Sequence, residues 1–150
     1  MNRKLLQSVR EYKKESILTP ILVIFEVLIE VLIPLLMARI IDVGIANGDM
    51  GYILSIGVVL VIMAMVSLFF GAMAGKMGAI ASSGYAKNLR HDIFYKIQEF
   101  SFKNIDNFST SSLVTRLTTD ITNIQMAYMM TIRMLGRAPI MIVLSLIMTL

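Results

Sequence analysis

Two places in this chain carry residue types and spacings that could do chemistry. The first is an acidic pair, Glu26 and Glu30, inside the apolar run from Ile17 to Ile41. Four residues apart on a helix, the two carboxylates share one face at a separation of one turn. A charged side chain at the centre of a membrane helix costs roughly 2.5–3.5 kcal/mol, while each large apolar neighbour returns roughly 0.5 kcal/mol, so such a helix still inserts. The carboxylates must then face protein or a water-filled cavity. Two roles fit: lining a pathway that attracts cations, or hydrogen bonding to a neighbouring helix. The second place is a polar segment, Phe100 to Gln125, reading FSFKNIDNFSTSSLVTRLTTDITNIQ. The hydroxyls of Ser109, Thr110, Ser111 and Ser112 can cap free backbone N–H groups at a helix start. Phe108 stands where the outer half of a hydrophobic staple belongs. Leu113, Val114 and Leu117 give a small apolar face, flanked by Arg116 and Asp120. A helix of about two turns is marginal alone in water, so this one needs a partner to pack against.

Other features look chemical and are not. Gly71-Ala-Met-Ala-Gly75-Lys76-Met77 has three residues between its glycines and methionine where a phosphate loop needs Ser or Thr. It also lies within an apolar helix, so it is read as packing. The chain has one histidine, His91, and no cysteine, so neither a histidine-anchored metal site nor a disulfide framework is available. Thirteen methionines are read as ordinary packing residues.

The elements that position these residues follow from composition and charge. The chain is 57% hydrophobic and only 16% charged, which places it among membrane proteins. Its net charge of +4 comes without the aromatic-basic platform of a nucleic-acid binder. Residues 2–14 put Leu5, Leu6, Val9 and Tyr12 on one face against a basic remainder, as in a helix lying in the membrane interface, the alternative being a disordered basic tail. Thr19-Pro20 reads as a cap followed by a first-turn proline, opening a first membrane helix over about 17–41. Asp49 caps a second helix over about 52–103. From Tyr52 to Phe100 alone that is roughly 70 Å, against a hydrocarbon core of about 30 Å. Its apolar part ends near Ala81, so the rest stands in water. Gly71, Gly75 and Gly78 mark either a close helix approach or a kink. A third helix starts near Asp120, and its continuous apolar part, Ala138 to Leu150, is too short to cross, so the chain is expected to be part of a longer protein. Arg3, Lys4, Arg10, Lys13 and Lys14 precede the first helix, and Lys76, Lys87, Arg90, Lys96 and Lys103 mark the end of the second. Asp42 to Gly51 has no Lys or Arg, which puts the N-terminus in the cytoplasm.

Phe108-Ser-Thr-Ser-Ser-Leu-Val-Thr-Arg-Leu-Thr-Thr-Asp120 resembles the first intracellular loop of ATP-binding-cassette exporters. Ser111 stands where many members have glycine. Ile33-Pro34-Leu35-Leu36-Met37-Ala38, Ile41-Asp42-Val43-Gly44-Ile45 and Arg137-Ala138-Pro139 are similar to the bacterial multidrug-type branch, in the same order. The resemblance implies an all-α integral membrane fold, the N-terminal part of a six-helix domain over residues 1–150. Residues 2–14 would form its elbow helix and residues 109–117 its coupling helix. It further implies a lipid bilayer and a nucleotide-binding domain, on the same or a partner chain, as partners in a homo- or heterodimer at the cell membrane. ATP and magnesium would bind in that other domain; this segment holds no catalytic site, cofactor site or metal site. Substrate-pathway residues would be Glu26 and Glu30. Two rivals come from other classes. A small proton-coupled drug transporter would use Glu26 or Glu30, but has short loops. His91-Asp92 is similar to the phosphoacceptor helix of some sensor kinases, which would continue into a soluble domain and not into a third apolar helix.

Overall fold

The computed structural model describes residues 8–98 and 115–149, which are helical apart from short connections and contain no strand. A 3-10 turn, Arg10–Tyr12, leads into helix α1, Lys13–Arg39, which ends in a π-helical turn, Ile40–Ile45. Helix α2 spans Met50–Gln98. A second π-helical turn, Arg116–Asp120, opens helix α3, Ile121–Thr149. Between α1 and α2, Gly48 takes φ +64°, a left-handed turn that costs glycine nothing. Asp49 Oδ1 then accepts the Tyr52 N–H at 3.0 Å, the cap expected from sequence. With 49 residues, α2 is about 74 Å long, more than twice the hydrocarbon thickness.

Three expectations need correction. Thr19-Pro20 does not start α1, because the helix begins at Lys13 and holds Pro20 and Pro34 inside it. Proline removes one intrahelical hydrogen bond, but the turn before it is held from outside. Ser16 Oγ donates to the Tyr12 carbonyl at 2.7 Å and lies 2.8 Å from the Tyr128 hydroxyl. The second correction concerns the interfacial elbow over 2–14. Residues 2–7 lie outside the described residues, and 8–14 do not form a separate helix facing lipid. Val9 is buried against protein, and the Tyr12 ring crosses Gly84. Third, Arg116–Asp120 runs into α3 without a break, so Leu117 belongs to the third helical run.

The chain divides into two compact units. One takes Met1–Ile17 with Met77–Ile132. Its core is Val9, Tyr85, Ala86, Leu89 and Ile121, with Ile93, Leu117 and Tyr128 packed on it. Tyr85 and Tyr128 stack with ring centroids 4.5 Å apart.

The other unit takes Leu18–Lys76 with Arg133–Leu150. Leu22, Val23 and Val27 form the buried stripe of α1, and Phe25 stacks on Phe70 of α2 at 5.5 Å. A Cβ added at Gly136 would lie 2.7 Å from the Pro20 carbonyl oxygen, so α1 and α3 touch through backbone there. Large apolar side chains elsewhere point outward: Leu68 is 72% exposed and Met65 67%. Such surfaces belong in lipid or against further helices, not in water. Among the described residues, three helical runs are long and apolar enough to cross a membrane: Arg10–Ile45, Met50–Gln98 and Leu117–Met148.

Candidate functional site

The structure treats the two glutamates of α1 differently. Successive residues at i and i+4 on a helix differ by about 40° in direction, enough to aim them at different neighbours. Glu30 Oε2 accepts from Arg137 Nη2 of α3 at 2.8 Å. Glu26 points at α2 instead, where a Cβ added to Gly71 would meet its Oε1 at 2.7 Å. Its Oε2 is buried with no hydrogen-bond partner among the described residues. Gly71 is therefore where the Glu26 carboxylate seats on α2. A Cβ at Gly75 would meet nothing within 4 Å, and α2 passes through both glycines unbroken. The sequence held a signal for the Glu30–Arg137 pair that went unread: each is a charge in an apolar run, and such charges seek one another.

In the other unit, the described part of the polar segment is tied back to α2. Arg90 Nε donates to the Leu117 carbonyl at 3.1 Å, across the π-helical turn. Around this contact lies an open groove of about 480 Å³ lined by Lys87, Arg90, His91, Phe94, Leu117 and Thr118. Leu117 itself packs on the unit's own core, so its apolar surface is already partly used. Phe108, Ser109, Thr110, Ser111, Ser112, Leu113 and Val114 lie outside the described residues. Asp120 is exposed at the end of the turn.

His91 is exposed, with its ring 4.5 Å from that of Tyr95. Its Nδ1 lies 3.7 Å from Asp92 Oδ1. The more densely bonded group is Asp92, which accepts from Ser8 Oγ at 2.8 Å and from Arg10 Nη2 at 2.7 Å. Sequence reasoning missed this centre, because its partners stand 84 and 82 residues away.

Among the described residues, three long apolar helices, one of them far longer than a bilayer, make up a membrane-spanning domain. A family model for the ABC transporter transmembrane region matches residues 16–150, and the chain belongs to that family. It is 34% identical over 140 residues to the uncharacterized ABC transporter ATP-binding protein YfiB of Bacillus subtilis, covering 93% of this chain and 24% of that protein. It is 30% identical over 142 residues to an uncharacterized ABC transporter ATP-binding protein of Mycobacterium tuberculosis, covering 95% of this chain and 24% of the relative. The chain thus spans about a quarter of the length of the relatives it matches.

Proposed function

We propose that this chain supplies the first part of the transmembrane domain of an ATP-driven exporter. It would hold the first membrane helices and the first lever, with 109–117 coupling that lever to a nucleotide-binding domain. The observation that carries this reading is the length of α2, 49 residues with an apolar portion ending near Ala81. Some seventeen residues of helix beyond it extend roughly 25 Å from the apolar stretch. A small proton-coupled transporter has no use for such a projection, whereas a domain driven from outside the bilayer needs one. The relatives are named ATP-binding proteins, which supports a nucleotide-binding domain on the same or a partner chain. ATP and magnesium would bind there, and closure of two such domains in a homo- or heterodimer would drive alternating access. Cargo would be drugs, lipids or other amphipathic compounds, with Glu26 offered to cationic ones.

Basic residues flank the cytoplasmic side in this reading and are missing from Asp42 to Gly51. A cysteine at Asn47 should therefore react with an impermeant thiol reagent added to intact cells, and a cysteine at Lys96 should not. Labelling at Lys96 with protection at Asn47 would reverse the topology and remove the basis for export.

A further inference from the structure

The first described residues are fastened to α2 at a single carboxylate. Ser8 Oγ donates to Asp92 Oδ2 at 2.8 Å, and Arg10 Nη2 donates to Oδ1 at 2.7 Å. One turn earlier, Asn88 Nδ2 donates to the Ser8 carbonyl at 3.0 Å. Ser8 and Asn88 are both buried, and Val9 between the polar contacts enters the unit's core. Arg10 has φ 40°, a left-handed conformation that a non-glycine residue keeps only where its surroundings fix it. Two residues later Tyr12 lies on Gly84, the one residue type that leaves room for its ring.

The ion pair alone would be a weak link, since the Arg10 side chain is half exposed and screened by solvent. Strength comes from the combination of buried hydrogen bonds, a buried valine and a ring seated on glycine. Asp92 lies eleven residues beyond Ala81, so the grip is about 16 Å past the apolar stretch of α2, on its polar extension. Helix α1 begins immediately after this fastening, at Lys13.

We propose that Ser8–Tyr12 is a strap, locked by Asp92, that makes the start of α1 move with the polar extension of α2 as one body during transport. The inference rests on the exporter reading above and adds a positioning role for Asp92. A push received at the segment between α2 and α3 then reaches α1 through the strap, and not only through the far ends of the helices. The strap stays shut throughout the cycle.

The test uses the full-length transporter carrying Ser8→Cys with Asp92→Cys; this segment has no native cysteine. Transport per ATP hydrolysed is measured before and after treatment with a short bifunctional thiol reagent, so both states share one folded preparation. Without reagent, loss of the charge-assisted hydrogen bonds should raise the open fraction of the strap by roughly tenfold. Transport per ATP should fall severalfold, and bridging should restore it. A wild-type ratio in the unbridged protein would overturn the proposal, as would bridged protein that hydrolyses ATP but no longer transports. Asp92→Asn keeps an acceptor for Ser8 and loses the attraction to Arg10. It should lower the ratio by a smaller factor, and an unchanged ratio there also counts against the strap. Wild-type protein that moves no cargo on ATP would instead sink the exporter reading itself.

Discussion

Asp92 and Glu26 are both carboxylates on long helices, one in each unit, and they meet opposite treatment. Asp92 accepts from a serine and an arginine at less than 3 Å. Glu26 is pressed against the backbone at Gly71 with one oxygen left without a partner among the described residues. A saturated carboxylate holds segments together, because any movement must break its hydrogen bonds. An unsaturated one in an apolar setting is a standing cost, kept where it has another use. The contrast separates a joint from a candidate binding group, and Glu30 belongs with the joints because Arg137 occupies it.

That division predicts unequal effects for two neighbouring glutamates. Glu30→Ala would leave Arg137 unpaired in an apolar run, a cost of about 2.5–3.5 kcal/mol on the insertion scale. The amount of stably inserted protein should drop sharply, and adding Arg137→Leu should recover most of it. Normal insertion of Glu30→Ala alone would show that the pair does not hold α1 to α3. Next in size is Gly84→Val, which drives a side chain into the Tyr12 ring. Overpacking of this kind costs about 1–3 kcal/mol, to be read as a lower melting temperature in detergent. An unshifted melting temperature would contradict the seating of Tyr12.

Glu26→Gln should be milder in yield, since no bonded partner loses its mate. Its effect should fall on cargo, with transport of cations reduced more than that of neutral compounds. Equal loss for both would assign Glu26 to packing alone. The smallest effect belongs to Tyr85. Burial, with a contribution from Tyr128, pushes its phenol above the ordinary 10.0. A raised folded-state value means stability present below the unfolded value and lost as pH climbs through the folded one. Thermal stability should therefore decline above about pH 10, and Tyr85→Phe should lessen the decline. An identical alkaline loss in Tyr85→Phe would exclude the phenol as its source.

What the sequence disclosed was what short-range physics decides. Three long apolar stretches, the Asp49 cap and the excess length of α2 are all set by neighbours within a few turns. Thr19-Pro20 has the form of a helix start, but packing overrides it, with Ser16 ahead of it bonded to the Tyr12 carbonyl and to Tyr128 of α3. Val9 and Tyr12 have the spacing of a lipid-facing stripe, and nothing local distinguishes lipid from the wall of Tyr85, Ala86 and Leu89. The Arg137 partner of Glu30 lies 107 residues away, beyond the reach of periodicity. Of the proposed coupling residues, Leu117 proved to be engaged in its own unit. Leu113 and Val114, the other two apolar residues proposed to meet a partner, lie outside the described residues.

The central claim is that 109–117 couples the membrane helices to a nucleotide-binding domain, and the engagement of Leu117 makes its test sharper. Leu113→Ala with Val114→Ala in the full-length protein removes only apolar surface proposed to face the partner. Each buried side chain of this size typically contributes about 1–5 kcal/mol. The double variant should reach the membrane and bind ATP normally, while cargo-stimulated hydrolysis and transport are lost together. Wild-type transport and wild-type stimulation in that variant would contradict the coupling assignment.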